Sequence, residues 1–172
     1  EMNWYKRHFA HCRVGSIKGE FTSNYLGDKC APEKIKASFP DVKLIVCLRN
    51  PIERAISHYN YWRYFFHREK REFDEAVKAE PRYIERGLYH KHLSRYLQHF
   101  PKEQIHFVFF DDIKSAPEMV TGNVFSFLGV DSEYIPENIS KRSNATVGLK
   151  NPALRKWLKQ LERKLVGWRL VG

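Results

Sequence analysis

The chain has 172 residues, 42% of them hydrophobic and 15% aromatic, which suffices for one buried core and predicts a single domain over residues 1–172. Lys and Arg outnumber Asp and Glu by 30 to 20, and this net charge of +10 either favours anionic partners or reflects a solvated basic surface. The longest apolar runs are far shorter than the ~20 residues of a membrane-spanning helix. The three cysteines lack CxxC or Cys/His metal spacing, so composition argues against a membrane span, a disulfide framework and a metal site.

The first residues look like the interior of a domain. Residue 1 is Glu, and the aromatic and basic segment 2–9 has none of the regions of a secretory signal. We therefore expect upstream sequence in the natural protein. A cytoplasmic location is favoured because no signal is visible and the cysteines are unpaired. The Golgi lumen is the alternative if an N-terminal anchor was removed.

The first predicted element is a strand over residues 42–48, a continuous apolar run typical of a central parallel strand buried on both faces. Asn50 then suits a helix N-cap, and Pro51 suits the first helical turn. Apolar and aromatic residues recur at helical spacing from Ile52 to about Phe66, which predicts one long helix. The resulting unit is strand, tight turn, helix.

Further elements alternate along the remaining chain. They are a surface helix within residues 70–80, a helix over 87–100, a strand over 105–110, a helix over 120–128 stopped by Gly129, a loop over 137–150 and a helix over 152–165. Alternating strands and helices predict an α/β domain whose mainly parallel sheet is flanked by helices.

The segment most suited to chemistry is the connection after the first strand. Ligands of open α/β sheets bind beyond the carboxyl ends of strands, where the next helix offers free N–H groups and the positive end of its dipole. Arg49 stands at that point and can bind a phosphate with two hydrogen bonds. Ser57 adds a hydroxyl two helical turns later. From the pattern alone, Arg49 could equally form a structural ion pair, and Ser57 could be an indifferent helix position.

A family resemblance favours the phosphate interpretation. Residues 48–59 resemble the 3′-phosphate-binding segment of sulfotransferases that use 3′-phosphoadenosine 5′-phosphosulfate (PAPS), in the form found in the heparan sulfate group and bacterial relatives. The strand, the Arg-Asn-Pro triplet, Arg54 and the Ser followed by an aromatic residue coincide at fixed spacing. Residues 19–26, 87–93 and 108–112 resemble the family's Glu-Lys-(Thr/Ser)-Pro-X-Tyr stretch, its Leu-Tyr helix and its next strand with an acidic turn. The resemblance implies a P-loop-type α/β fold.

The same resemblance implies roles for individual residues. Arg49 and Ser57 would contact the 3′-phosphate of PAPS or of its product adenosine 3′,5′-bisphosphate, and Tyr89 would line the nucleotide site. Lys141 and Arg142 lie where family members bring a basic residue over the nucleotide. Three other residues have weaker implications: Glu20 is a weak catalytic candidate or a buried structural carboxylate, Arg54 has a structural or helix-surface role, and His58 is an acceptor contact, a surface residue or a partly buried histidine.

Two departures from the family pattern affect the expected chemistry. The Gly-rich P-loop that holds the 5′-phosphosulfate and the catalytic Glu one strand later do not occur in this sequence, and we expect both to lie N-terminal to Glu1. Phe21 replaces the Lys of the Glu-Lys pair. The resemblance implies transfer of a sulfuryl group to a hydroxyl or amine of a small molecule or glycan, without a metal.

Two other functions remain open at this point. The first is a basic module that binds nucleic acid or another polyanion through the aromatic and basic stretch 59–71, although its aromatic residues are spaced for helix packing rather than for a stacking platform. The second is a truncated fragment that binds nucleotide and transfers nothing. A preference for a 3′-phosphate over plain AMP separates a sulfotransferase from a polyanion binder, whose affinity depends steeply on salt.

Overall fold

A computed structural model describes residues 2–141 of the chain. The helices are α1 (Met2–Arg7), α2 (Ala31–Ser38), α3 (Pro51–Asn60), α4 (Phe73–Ala79), α5 (Arg82–Glu85), α6 (Tyr89–Leu97), α7 (Phe110–Ser115) and α8 (Pro117–Leu128), and the strands are β1 (Leu44–Leu48) and β2 (Ile105–Phe109). Short 3₁₀ turns lie at Tyr25–Gly27 and Lys102–Gln104, and a π-helical segment covers Tyr61–Phe65. None of the described helices is long and apolar enough to cross a membrane.

The two strands pair in parallel, from Leu44 opposite Ile105 to Leu48 opposite Phe109. Parallel neighbours need a long crossover connection, and the helices α3 to α6 supply it. The α/β class with a parallel sheet flanked by helices is thus confirmed. The predicted strands were each one or two residues too long, and the predicted helix over 87–100 is shorter, as α6.

One face of β1 is covered by the described residues. Leu44, Val46 and Ile105 pack with Tyr96 and Phe100 in a core. On the other face of β1, Ile45 is 45% exposed and Cys47 is also exposed. In β2, Phe107 and Phe109 share the face of Ile105 but are 39% and 52% exposed, whereas Val108 on the other face is buried. The prediction that the first strand is buried on both faces is therefore wrong for this part of the chain, because α2 and α6 pack on one side only.

A second core joins three helices. Ala55, Ile56 and Tyr59 of α3 pack against Phe73 and Ala76 of α4 and Tyr83 of α5. The predicted surface helix within residues 70–80 exists as α4. Its Phe73 and Ala76 are 6% and 0% exposed and face the core, while Asp74, Glu75 and Lys78 are exposed, so α4 is the surface helix that the sequence predicts.

The predicted long helix after the first strand changes type partway. It is α-helical to Asn60 and then π-helical, with the Phe66 N–H donating to the Tyr61 carbonyl at 3.2 Å, five residues back. Tyr61, Tyr64, Phe65 and Phe66 are 40–70% exposed, so the expectation that these aromatic residues pack inside is wrong. Helical spacing from the buried Tyr59 leads to residues 62, 63 and 66 and leaves Tyr61, Tyr64 and Phe65 outside the apolar stripe.

The last described helix, α8, begins three residues earlier than predicted, at Pro117. It ends where the sequence predicts, because Gly129 adopts a φ of 82°, a left-handed conformation that closes the helix and favours glycine. Residues 137–141 have turn and irregular structure, as expected of a loop. The rest of that loop and the predicted helix over 152–165 lie outside the described residues.

Candidate functional site

The connection from β1 to α3 positions the first candidate residue. Leu48 is buried at the end of β1, and Arg49 follows it directly. The Asn50 side chain caps α3 by accepting hydrogen bonds from the N–H groups of Ile52 at 3.0 Å and Glu53 at 3.2 Å. Pro51 occupies the first turn, where its missing N–H costs no hydrogen bond. Arg49 is therefore fixed beside the positive end of a capped helix.

The Arg49 guanidinium lies between a carboxylate and an aromatic ring. Its Nη2 and Nε donate to one oxygen of Glu53, at 3.0 and 3.2 Å, and its Cζ lies 4.6 Å from the centre of the Phe110 ring. Its side chain is 27% exposed. Among the described residues Nη1 has no hydrogen bond, so one edge of the fork is held by Glu53 and the other remains available for an anion.

The ion pair with Glu53 is a feature that sequence reasoning missed. A carboxylate four residues after an arginine at a helix start lies on the same side one turn later, so the spacing itself carried the signal. Contact with Phe110 had no such local signal, because that residue enters from α7 after the crossover. Arg49 thus does form a structural ion pair, as one of the two interpretations from sequence held. Its Nη1 can still donate to an anion.

Ser57 lies on α3, partly exposed, about 9 Å along the helix axis from Pro51. Tyr89 is the first residue of α6 and is also partly exposed. The two residues come from helices that the fold fastens together, as the contacts of Arg54 and Gly87 show. Whether Ser57 and Tyr89 bind nucleotide stays a prediction.

Arg54 and Gly87 join the start of α6 to α3. The Arg54 Nη2 donates to the carbonyl of Tyr83. Gly87 is buried, and a Cβ there would lie 3.1 Å from the Cβ of Pro51 and 3.5 Å from the Nε of Arg54. Burial lowers the pKa of Arg54, against the opposing effect of the nearby Tyr89 phenol. Arg54 thus has the structural role that we expected, in holding the turn that carries Tyr89.

His58 is a partly buried, neutral histidine. Its Nε2 accepts a hydrogen bond from the Trp62 indole N–H at 2.9 Å, and the Tyr83 ring meets it edge-on, with centroids 4.9 Å apart. Burial lowers the pKa of His58 to about 4, and the charges of Arg86, Arg54 and Arg82 add to that effect. Of the three interpretations from sequence, the structure favours the partly buried histidine.

Glu20 belongs to a different set of contacts. Burial and a hydrogen bond to the Glu20 carboxylate raise the pKa of Tyr5 to about 12, and the same carboxylate is the main cause of the raised pKa of Tyr25. Glu20 itself is exposed rather than buried, and Phe21 beside it is 89% exposed. These contacts tie the segment before α2 to α1.

Two predicted basic residues end the described region. Lys141 is exposed and contributes a backbone hydrogen bond to Asn138 at 2.9 Å. Arg142 lies outside the described residues. Within residues 2–141, no hydrogen bond or ion pair joins Glu20 or Lys141 to Arg49. Arg49 and Ser57 thus lie on the β1–α3 connection and on α3, and Tyr89 follows the turn that Arg54 and Gly87 hold against α3, whereas Glu20 and Lys141 share none of these contacts.

Comparison with known proteins identifies the family. The family model described as "Sulfotransferase domain" matches residues 26–163, which include the whole Arg49 to Tyr89 region. The chain belongs to the sulfotransferase domain family. A crystal structure of a sulfotransferase from Alicyclobacillus acidocaldarius has a similar fold, with a TM-score of 0.77 and 26% identity, over 94% of this chain and 66% of that one.

Curated relatives of this sulfotransferase-family chain include enzymes named for heparan sulfate. Heparan sulfate glucosamine 3-O-sulfotransferase 6 of Homo sapiens is 32% identical over 166 residues, 90% of this chain and 46% of that protein. Bifunctional heparan sulfate N-deacetylase/N-sulfotransferase 1 of Xenopus laevis is 32% identical over 146 residues, 75% of this chain and 16% of that protein. The chain thus spans less than half the length of these relatives.

Proposed function

We propose that this chain forms the 3′-phosphate-binding part of a sulfotransferase that uses PAPS to sulfate a hydroxyl or amine of a carbohydrate. The observation that carries the proposal is the open edge of the Arg49 guanidinium beside the capped start of α3. Membership of the sulfotransferase family and relatives named for heparan sulfate support the donor and the acceptor class.

The donor set of the site suits a phosphate on the nucleotide. A guanidinium forms charge-assisted hydrogen bonds to phosphate oxygens, and the start of α3 adds the positive partial charge of the helix dipole, although Asn50 already accepts from its N–H groups. Phe110, which packs on the guanidinium, limits its motion and removes water from one face. Ser57 supplies a hydroxyl to the same phosphate, and Tyr89 borders the nucleotide. A 3′-phosphate held in this way fixes the position of the whole PAPS molecule.

The position of PAPS matters because sulfuryl transfer requires the acceptor atom, the sulfur and the leaving oxygen to be aligned. The bond between sulfur and the bridging oxygen of the 5′-phosphosulfate breaks as a new bond forms from the acceptor oxygen or nitrogen to sulfur. The acceptor proton passes to a base, and adenosine 3′,5′-bisphosphate leaves. The residues of this chain bind and orient the donor, and such positioning lowers the barrier by aligning the reacting atoms. In this proposal the Glu20 carboxylate accepts hydrogen bonds from Tyr5 and Tyr25 and is not the base.

Calorimetry with adenosine 3′,5′-bisphosphate and AMP tests the proposal. The parent chain should prefer the bisphosphate, and Arg49→Ala should lose at least about 1.5 kcal/mol of that binding, roughly tenfold in Kd. Ser57→Ala should lose less, about 0.5–1.5 kcal/mol, since a neutral hydroxyl is removed. Arg13→Ala, an exposed arginine before α2, removes the same charge elsewhere and should bind like the parent.

A second variant separates two causes of a loss. Arg49→Ala leaves the Glu53 carboxylate without its cation, and that carboxylate would repel a phosphate. The double variant Arg49→Ala with Glu53→Gln removes both charges and should still bind the bisphosphate more weakly than the parent. If parent and Arg49→Ala bind it equally, or if the parent does not distinguish it from AMP, the assignment of a 3′-phosphate site is wrong. Steep salt dependence without that preference would instead indicate a polyanion binder.

A further inference from the structure

A group of exposed aromatic side chains follows α3. Tyr61 is 49% exposed, Tyr64 56%, Phe65 70% and Phe66 40%. Together with the exposed Arg68 we call these residues the aromatic–arginine patch. Contiguous apolar surface of this kind on a folded domain marks a binding site more often than chance exposure does. Tyr61, Tyr64 and Phe65 lie in the one π-helical segment of the described chain, a type of helix that occurs frequently at functional sites, and Phe66 and Arg68 follow it.

The rings of the patch are held in place before any partner arrives. Tyr61 and Phe65 stack with planes 9° apart and centroids at 5.3 Å, and Phe66 meets both edge-on, at 4.8 and 5.2 Å. The next residue, His67, has a φ of 52°, which is uncommon for a residue with a side chain. A preformed platform loses little conformational entropy on binding.

Cationic groups lie within the aromatic surface. The Arg68 Cζ is 5.7 Å from the centre of the Phe66 ring and 5.9 Å from that of Trp62, and Arg82 lies over Trp62 at 5.6 Å. Among the described residues Arg68 forms no ion pair, whereas Arg82 pairs with Glu80 at 3.1 Å. The patch therefore offers ring faces, two phenol hydroxyls and an arginine that lacks a carboxylate partner.

We propose that the aromatic–arginine patch binds the chain of an acidic oligosaccharide acceptor beyond the sugar that reacts. The inference rests on the proposed function, because its occupant is an extension of that acceptor. A pyranose ring presents C–H groups, which pack on the electron-rich face of an aromatic ring. Its hydroxyls reach the phenols, and its carboxylate or sulfate groups pair with Arg68. Tyr61 lies one turn after Ser57 on the same helix, so the patch continues from the candidate nucleotide site.

The charge of the patch favours a glycan over a lipid surface. Insertion into a bilayer would strip water from the guanidinium that lies over the rings, at a large free-energy cost. An acidic glycan instead supplies the counter-charge that Arg68 lacks and leaves the patch partly hydrated. Nucleic acid shares the stacking and the charge, and the experiment below separates it from a glycan.

Binding of a heparan sulfate decasaccharide and disaccharide to the full chain tests the proposal. Phe65→Ala, Tyr61→Ala and Arg68→Ala should each weaken binding of the decasaccharide by roughly five- to tenfold, the scale of truncating an anchor residue. Binding of the disaccharide should stay the same, because it occupies the reacting position only. Tyr134→Ala, an aromatic residue that is 59% exposed elsewhere, and Arg13→Ala serve as matched controls and should behave like the parent.

Phe65 is 70% exposed, so its truncation leaves the fold intact, and circular dichroism verifies this. Equal decasaccharide affinity in parent and patch variants overturns the proposal. The proposal is also overturned if the patch variants lose affinity for a single-stranded oligonucleotide as much as for the decasaccharide. It is likewise overturned if they lose affinity for vesicles of anionic phospholipid while decasaccharide binding is unchanged. Adenosine 3′,5′-bisphosphate is measured in parallel: if the parent does not bind it, the proposed function fails, while the comparison of the oligosaccharides still decides the patch.

Discussion

Replacing Glu69 by Gln tests the contacts that hold the loop after the π-helical segment. The Glu69 carboxylate, 6% exposed, accepts hydrogen bonds from the N–H of Arg71 at 3.0 Å, from its Nε and Nη2 at 2.8 Å, and from the Tyr83 hydroxyl at 3.2 Å. A Gln side chain would keep part of this geometry but would present an NH₂ group to donors. The substitution therefore leaves buried donors without acceptors.

The magnitude follows from the pKa. Hydrogen bonds from Arg71 are the main cause that lowers the pKa of Glu69 from 4.5 to about 2, and burial opposes them. At 1.36 kcal/mol per pH unit this difference corresponds to at most ~3 kcal/mol of folding free energy. Arg71 is partly exposed, and water screens its charge, so we expect ~1–2 kcal/mol. Because the folded-state pKa is the lower one, this stabilisation is present above pH 4.5 and is lost as the pH falls from 4.5 towards 2.

Urea denaturation of parent and Glu69→Gln between pH 7 and pH 3 measures this contribution. The variant should be less stable by about 1–2 kcal/mol at pH 7, and the difference should shrink below pH 4.5. Subtracting the two curves removes the titration of the other carboxylates. Glu72→Gln is the control: its side chain is 77% exposed in an ion pair with Arg63, and its loss should cost less than ~1 kcal/mol. A difference between parent and Glu69→Gln that stays constant from pH 7 to pH 3 would refute the reasoning.

Three further predictions concern the fastening of α3. Gly87→Ala should lower the free energy of unfolding by ~1–3 kcal/mol, because the new Cβ would meet the Cβ of Pro51 at 3.1 Å; unchanged urea unfolding would contradict this packing. Asn50→Ala removes the cap of α3 and should cost about 1 kcal/mol in the same assay, whereas Asn50→Asp should retain most of the stability. His58 should titrate by NMR with a midpoint near pH 4, and it should contribute a loss of stability as the pH falls from 6.5 to 4, because its folded pKa is the lower one. A midpoint near 6.5 would show that His58 is not buried against Trp62.

The candidate phosphate site could be predicted from sequence because its determinants are local. An apolar run, an Asn cap and a Pro in the first turn define β1, the connection and the start of α3 within nine residues, 44–52. Arg49 then occupies a place that follows from chain direction alone. The family resemblance added the predicted nucleotide contacts of Ser57 and Tyr89. The Glu53 partner was also within reach of local spacing.

Contacts between distant segments could not be predicted in this way. Glu20 meets Tyr5, and Arg54 meets the carbonyl of Tyr83, through packing of segments that are not neighbours along the chain. The partners of the buried Phe73 and Ala76 of α4 likewise depend on where α3 and α5 lie. Sequence patterns report which side of a helix is apolar, but they do not report which neighbour covers it.

The sequence by itself thus determined the α/β class, the strand–turn–helix unit and the position of Arg49 at the start of α3, since each depends on neighbouring residues. Only the tertiary structure decided that Phe110 packs on the Arg49 guanidinium while the Nη1 edge stays open. It also decided that Phe65 and its neighbours lie outside the core, because α4 and α5 cover only the side of α3 that carries Ala55, Ile56 and Tyr59. Aromatic residues that were expected to pack inside thus form a surface available for binding.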